Sequence, residues 1–302
     1  MAPDNARRRA LSLPLTVEDF ETPSSTVRVE VGARSHRGAV RDSNDDHYLV
    51  LRLARRQDVL TTSLPHSDLP HQFEEAGYAM FVADGLGPAG AGSMASRVAL
   101  STVVNLVLRY GKWNLRVDST VAADVLANVA KLYEQVDEAV VAQRHTLPEL
   151  ADMATSLTAA YSAGDQLFIA HVGHSRAYLF RDGTLTRLTR DHTIEQHVAD
   201  GGGPIAMERR GKDQRHILTH ALGARGDRPL IRLEHFRITD RDTILLCTNG
   251  LSDMVDDEAL ADTLAVRRRP DEQCQALIDL ANQKGGTDNI TVVVAQYDVP
   301  TA

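Results

Sequence analysis

The sequence predicts an α+β fold, in which strands and helices form separate groups along the chain. Alternating apolar residues, as at Val27, Val29 and Val31, indicate half-buried strands. Other segments repeat apolar residues at roughly every third or fourth position, which indicates amphipathic helices. Because strands and helices do not alternate strictly, a parallel sheet built from βαβ units is not expected.

The elements follow from these two periodicities and from the turn residues between them. The predicted strands begin near residue 27 and then cover 48–53, 78–83, 156–161, 166–172, 176–181, 185–188, 231–238, 243–247 and 290–297. The predicted helices cover 91–106, 121–140, 256–265 and 271–283.

Three stretches are predicted to lack regular structure. Residues 1–26 are polar, contain three prolines, and predict a flexible tail before one domain over residues 27–299. Residues 55–75 contain Pro65 and Pro70 and predict a long loop. The polar character of residues 197–214 predicts a mobile segment that extends from the domain.

Composition narrows the classes of function. The 302 residues carry a net charge of −8, which argues against a general binder of nucleic acid or of membrane surfaces and suits a protein that binds divalent cations. The apolar stretch after the arginines at 7–9 is broken by Pro14 and is too short for a signal or a membrane span. Cys247 and Cys274 are expected to be buried, reduced thiols, with a disulfide or catalytic thiol as the alternative. We therefore expect a cytoplasmic protein.

Four short segments carry acidic residues or amides that replace them. Three of the four adjoin apolar runs of strand type, so their side chains would meet at strand ends. Carboxylates gathered without thiols suit hard cations such as Mg²⁺ or Mn²⁺. The segments are residues 41–46, 82–87, 247–253 and 285–289.

With two further motifs, at 172–178 and 188–193, these segments stand in the order found in the metal-dependent protein phosphatases. The sequence resembles this PPM family of type-2C serine/threonine phosphatases, in its bacterial form, over roughly residues 27–297. The resemblance implies a four-layer α/β/β/α sandwich of two antiparallel sheets flanked by helices. It also implies a metal site at one end of the sheets, with residues 197–214 as the flap beside it.

The resemblance assigns a role to each acidic position. Asp84 matches the carboxylate that bridges two ions, and the carbonyl of Gly85 matches a ligand through water. Asp45 takes the place of a glutamate next to the second ion, Asp46 would hold a metal-bound water, and Asp288 matches a ligand of the first ion.

Two other positions complete the implied site. Arg41 matches the arginine that grips the substrate phosphate with its bidentate fork, with a surface charge as the alternative. Asp253 matches a ligand of an auxiliary third ion, with a helix cap as the alternative.

Asn249 and His174 stand where the family has aspartates. Asparagine offers a carbonyl oxygen and histidine a nitrogen, but neither supplies the negative charge on which a divalent-cation site depends. The first and third ions should therefore bind weakly, while Asp45, Asp84 and Gly85 hold the second. His174 would favour Mn²⁺ or Zn²⁺ if it is a ligand; otherwise it is a neutral histidine hydrogen-bonded beside Arg176.

The implied activity is hydrolysis of phosphoserine and phosphothreonine in proteins by a metal-activated water, with two Mn²⁺ or Mg²⁺ ions or fewer. The alternative is an impaired pseudophosphatase that binds phosphoproteins as a regulatory module. A phosphatase of a sigma-factor cascade rests on family analogy alone. The expected substrate is a product of a serine/threonine kinase, no nucleotide cofactor is indicated, and a monomer is expected.

Overall fold

The computed structural model describes residues 26–65, 72–88, 90–110, 115, 119–202, 216–226 and 228–300. The strands are β1 (Arg28–His36), β2 (His47–Asp58), β3 (Gln72–Ala83), β4 (Gly85–Leu86), β5 (Ala154–Thr155), β6 (Leu157–Ala163), β7 (Gln166–Val172), β8 (Arg176–Arg181), β9 (Thr184–Arg187), β10 (Arg232–Arg237), β11 (Thr243–Cys247) and β12 (Ile290–Asp298). The helices are α1 (Ala91–Tyr110), α2 (Ser119–Arg144), α3 (Ile194–Ala199), α4 (Asn249–Ser252), α5 (Asp257–Ala265) and α6 (Pro270–Gln283).

The strands form two antiparallel five-stranded sheets. One sheet has the order β1-β12-β11-β8-β9, and the other has the order β10-β7-β6-β3-β2. The short strands β4 and β5 pair separately. Neighbouring strands that are close in sequence are joined by tight turns, as at Gly164 and Asp165 between β6 and β7. The second sheet is thus assembled largely from hairpins, which are available only to antiparallel strands.

Side chains that alternate along each strand supply two different cores. On β11, Ile244 and Leu246 pack in the cluster between the sheets, whereas Leu245 and Cys247 pack in the cluster beneath α5 and α6. On the opposite side of the molecule, α1 and α2 cover the second sheet in a third cluster that includes Tyr133. The layers therefore run helix, sheet, sheet, helix, and the predicted sandwich is confirmed.

Helix α1 is a core element. By length and composition alone, Ala91–Arg109 could cross a membrane, with a mean hydropathy of 1.3 over its most apolar window. In the structure Ala95, Ala99 and Val103 of this helix are fully buried in the core against the second sheet. Its apolar character is therefore accounted for by packing within the domain.

The predicted loop over residues 55–75 is wrong at both ends. Strand β2 continues through Asp58 and β3 begins at Gln72, so the two form one long hairpin. Cross-strand ion pairs stabilise this extension, because Arg55 lies opposite Glu75 with Nη2 2.6 Å from Oε2. The residues at both ends of the predicted loop are thus strand residues, and Pro65 lies between the strands. Residues 66–71 lie outside the described part of the chain.

The remaining differences from the sequence prediction are small. The short elements α3, α4, β4 and β5 were not predicted. Helices α1 and α2 each extend four residues beyond their predicted ends, and several other boundaries shift by a residue or two. The predicted tail, except for residue 26, and residues 203–214 of the predicted flap lie outside the described residues.

Candidate metal and phosphate site

The predicted site residues lie where strands of both sheets begin or end. Antiparallel pairing brings these strand ends to one edge, since His47 at the start of β2 is opposite Ala83 at the end of β3. In the other sheet, Cys247 at the end of β11 is opposite Val292 near the start of β12. Thr248 joins the two edges, because its Oγ1 donates a hydrogen bond to Asp46 Oδ2 at 2.7 Å.

Asp84 is buried at the end of β3. Its backbone oxygen accepts hydrogen bonds from Ser156 N at 2.9 Å and from Thr155 Oγ1 at 2.8 Å, which fix the turn. Burial raises the pKa of the Asp84 carboxyl well above its usual value, and the negative charges of Asp46 and Asp288 raise it further. The positive charge of Arg41 acts in the opposite direction but does not outweigh these effects, and a bound cation would stabilise the buried carboxylate further.

Asp46 is the second buried carboxyl of the site. Burial raises its pKa to about 7, although the hydrogen bonds from Thr248 and Thr291 act in the opposite direction. A carboxylate has about four acceptor sites, so the hydrogen bonds from Thr248 and Thr291 leave others for a water molecule. This arrangement is compatible with the predicted role of Asp46.

Asp45 lies beside the helix that follows Asp84. Its backbone oxygen accepts a hydrogen bond from Ser96 Oγ of α1 at 2.6 Å. The turn at Gly85 packs closely against the start of α1 and leaves no room for a side chain, because a Cβ atom on Gly85 would lie 2.0 Å from the backbone oxygen of Gly92. A Cβ atom on Gly92 would lie 2.9 Å from Asp45 Oδ2. The two glycines therefore allow the Asp45 carboxylate to lie against the turn that follows Asp84.

Arg41 is oriented by Asp288. Its Nη2 donates a hydrogen bond to Asp288 Oδ2 at 2.9 Å, and this bond raises the pKa of the guanidinium. The Arg41 side chain is 57% exposed, as a simple surface charge would be. Its ion pair with Asp288, however, holds it at the carboxylate cluster. A guanidinium has five N–H groups, and those not used on Asp288 can bind a substrate anion.

Asn289 holds the Arg41 segment in place, a role that sequence reasoning missed. Its Nδ2 donates to the backbone oxygens of Arg37 at 2.8 Å and Ser43 at 2.7 Å. Its Oδ1 accepts a hydrogen bond from the backbone nitrogen of Asp45 at 2.8 Å. These three bonds fasten the segment that carries Arg41 and Asp45 to the start of β12.

Replacing Asn289 with alanine is expected to lower the free energy of unfolding by about 2–4 kcal/mol, because it leaves three backbone groups without their partner. Urea unfolding followed by circular dichroism measures the change. The control is Asn105→Ala, which removes one exposed bond to Ser101 O within α1 and should change stability by less than about 0.5 kcal/mol. Equal effects of the two substitutions would show that Asn289 does not fasten the segment.

Asn249 and Asp253 contact each other across α4. Asn249 Nδ2 donates to Asp253 Oδ2 at 3.1 Å, so the amide oxygen of Asn249 is the atom available to a cation. Asp253 Oδ2 is also 3.5 Å from His216 Nδ1. The alternative that Asp253 caps the next helix is wrong, because Asp256 is the N-cap of α5 and accepts from Ala259 N at 2.9 Å.

His174 faces Asp84, with Nε2 3.6 Å from Asp84 Oδ2. Burial lowers its pKa to about 4, so its imidazole is neutral at neutral pH. Within the described residues its Nδ1 has no hydrogen-bond partner. The expected contact with Arg176 is not present, because Arg176 pairs with Asp191 at 2.7 Å. His174 therefore occupies the carboxylate cluster without contributing charge to it.

The donor set fits a hard divalent cation. Asp45, Asp84 and Asp288 offer carboxylate oxygens, and burial together with neighbouring carboxylates raises the pKa of Asp84 despite the charge of Arg41. Among the residues that the structure describes, no three His, Cys, Asp or Glu side chains form a group that could hold a metal ion by themselves. The carbonyl of Gly85 and water molecules would have to complete the coordination, as Mg²⁺ in particular permits.

Comparison with known proteins agrees with this geometry. Residues 57–284 match the family described as Protein phosphatase 2C. The chain belongs to this family. It is 33% identical over 271 residues to the serine/threonine protein phosphatase PstP of Mycobacterium tuberculosis, a match that covers 89% of this chain and 45% of PstP. The chain thus spans about half the length of that relative.

A second relative and a solved structure match this chain over almost their whole length. The serine/threonine phosphatase stp of Listeria welshimeri is 29% identical over 268 residues, which is 88% of this chain and 95% of stp. The catalytic domain of PstP, solved in complex with two manganese ions, superimposes with a TM-score of 0.67 at 30% identity, covering 90% of this chain and all of that domain. The resemblance to the metal-dependent phosphatases is confirmed.

Proposed function

We propose that this chain is a metal-dependent phosphatase that hydrolyses phosphoserine and phosphothreonine in proteins. The observation that carries the proposal is the pairing of Arg41 with Asp288, beside the buried Asp84, at one end of the sandwich. This pairing combines a phosphate-binding group with cation-binding carboxylates. The relatives named above are serine/threonine phosphatases, which supports the same chemistry here.

Four groups of this chain would hold the cation or cations. They are the carboxylates of Asp45, Asp84 and Asp288 and the carbonyl of Gly85. When bound, Mn²⁺ or Mg²⁺ lowers the pKa of a coordinated water and stabilises negative charge on the phosphoryl oxygens. We expect fewer or weaker sites than in the manganese complex of PstP, because Asn249 and His174 are uncharged.

The remaining groups bind and orient the reactants. Arg41 would bind two phosphoryl oxygens with its planar fork, and Asp288 keeps the guanidinium directed into the site. Asp46 would hold the attacking water through an acceptor site that Thr248 and Thr291 leave free. Asn289 keeps the backbone of this segment in place, so the water and the phosphate are positioned relative to each other.

We further propose that the substrates are products of a serine/threonine kinase and that the protein acts as a monomer in the cytoplasm. The buried, unpaired thiols of Cys247 and Cys274 support a reducing compartment. Sedimentation of the purified chain tests the monomer, and fractionation of the producing cells tests the location.

The Arg41→Ala variant tests the function. With Mn²⁺ titrated to millimolar concentration, we expect its turnover of a phosphopeptide to fall by about a hundredfold or more, since the guanidinium stabilises charge on the transferring phosphoryl group. The control is Arg56→Ala, which removes an exposed arginine paired with Asp58 in β2 and should leave the rate unchanged.

The same experiment tests the second candidate function, a pseudophosphatase that binds phosphoproteins without hydrolysing them. The uncharged side chains of His174 and Asn249 favour this candidate. A parent protein that binds the phosphopeptide without hydrolysing it, and that loses this binding in Arg41→Ala, would establish a binding module instead of an enzyme. If Arg41→Ala alters neither the binding nor the hydrolysis, phosphate recognition at this site is wrong.

A further inference from the structure

A separate cavity of about 420 Å³ opens between the edge strands of the two sheets. Strand β9 is the edge of one sheet and β10 the edge of the other, and α3 lies beside the opening. The polar residues that line it include His171, Arg187, Arg190, Gln196, Arg232 and Glu234. We call this cavity the Arg232 pocket. Its lining shares no residue with the candidate metal site.

The Arg232 pocket combines arginines that are paired with one whose Nε atom is not. Three arginines and one glutamate line it. Arg190 is paired with Asp200, and Arg187 Nη2 lies 3.4 Å from Asp191 Oδ1. Arg232 Nε, in contrast, is buried and has no hydrogen-bond partner in the described part of the chain. A buried guanidinium N–H without a partner is costly, and an anion in the pocket would satisfy it.

His171 adds a second unsatisfied atom with a defined role. Its Nδ1 lies 2.8 Å from Thr158 Oγ1, and this hydroxyl donates its proton to Ser175 O at 3.0 Å. His171 Nδ1 must therefore be the donor to Thr158, which leaves Nε2 with a free lone pair. The residue is 1% exposed, and burial keeps its pKa well below the usual value, so the imidazole is neutral. Within the described residues Nε2 has no partner, so it can accept a hydrogen bond from a ligand.

The pocket thus requires a ligand that is an anion and also carries a proton to donate. We propose that the Arg232 pocket binds inorganic phosphate, whose charged oxygens pair with Arg232 and whose remaining O–H group donates to His171 Nε2. Arginine forks match the oxygens of a phosphate group, and Arg187 lines the same pocket. Sulfate has the same shape and charge type but no proton at neutral pH.

The wall of the pocket is continuous with the segment that carries His174. Arg187 contacts Asp191, which also binds Arg176, two residues after His174. His192 N donates to Gly173 O at 2.7 Å on the same segment. A phosphate that draws Arg187 away from Asp191 would therefore act on the loop beside Asp84. If the proposed phosphatase activity holds, its own product is a source of the ligand.

Calorimetry on the full chain, with EDTA present and Arg41→Ala as the background, tests the pocket without contribution from the candidate active site. We expect phosphate binding that weakens at least about tenfold when Arg232→Ala is added, since a charge-assisted hydrogen bond and its ion pair are lost. The control is Arg237→Ala on the same strand, an exposed arginine paired with Asp165, which should bind phosphate like the background protein. Arg232→Lys serves if the alanine variant does not fold, and it should also bind more weakly because it lacks the fork.

Two comparisons of ligands identify the anion. Sulfate should bind about fivefold more weakly than phosphate, because it leaves His171 Nε2 without a donor. Methyl phosphate at pH 7.5 should also bind more weakly, since a phosphate monoester has lost its last phosphate proton by about that pH and the methyl group offers no other donor. Equal binding of phosphate in the background protein and in Arg232→Ala would overturn the site. Sulfate or ester binding as tight as phosphate binding would overturn the assignment to a protonated phosphate.

Discussion

The Asp84→Asn variant is expected to lose Mn²⁺ binding and to lower kcat/KM for a phosphopeptide by about a thousandfold or more. Burial and the negative charges of Asp46 and Asp288 raise the pKa of the Asp84 carboxyl, so a cation held by this cluster would be stabilised most by Asp84 in its charged form. An asparagine keeps the shape and one oxygen but removes the charge on which affinity for a hard divalent cation depends.

Titration calorimetry with Mn²⁺ measures the loss, with Asp256→Asn as a control that changes an exposed acidic helix cap outside the site. Without metal, Asp84→Asn should be at least as stable as the parent, because it removes buried like-charge repulsion. This separates loss of the site from loss of the fold. Equal Mn²⁺ affinity in the parent and in Asp84→Asn would refute the proposed metal centre.

The second large expected effect is a gain in metal affinity and turnover. Restoring two carboxylates, in the variant that combines Asn249→Asp with His174→Asp, should raise Mn²⁺ or Mg²⁺ affinity and increase turnover by about tenfold or more. His174 Nε2 already lies 3.6 Å from Asp84 Oδ2, so a carboxylate at this position would lie near the same cation. Position 249 is buried at the start of α4, where its side chain contacts Asp253.

The two single substitutions are the controls, and the double variant should exceed both. Adding two acidic groups to a buried cluster should also destabilise the metal-free protein while increasing the stabilisation by Mn²⁺, because the cation then offsets more repulsion. Thermal unfolding with and without Mn²⁺ measures this difference. A double variant that binds metal no better than the parent would mean that positions 174 and 249 do not face the cation.

Much of the architecture could be predicted because its signals are local. Alternation of apolar residues located most strands, and the order of the motifs indicated the antiparallel sandwich and which strand ends would meet. The hairpin of β2 and β3 was underestimated because its outer half consists of charged residues. Only cross-strand partners such as Arg55 and Glu75 reveal that these residues form strands.

Within the candidate site, positions were easier to predict than contacts. Asp84 and Asp288 were placed by their motifs, and both lie at the expected strand ends. The bonds of Asn289 to residues 37, 43 and 45 span almost the whole chain, so no local pattern could indicate them. His174 was expected at the site and does face Asp84, whereas Arg176, beside which a hydrogen bond of His174 was expected, pairs with Asp191.

The position of β12 has a consequence for how the protein is made. Strand β12 is the last strand of the domain to be synthesised. In its sheet it lies between β1, which is synthesised first, and β11. Until it emerges from the ribosome, β1 has no neighbour within that sheet and the apolar layer between the sheets lacks Val293 and Ala295. Such non-local pairing is slow and leaves nascent chains exposed to aggregation. We therefore expect this domain to complete its folding only after synthesis of β12, with chaperones protecting the earlier strands.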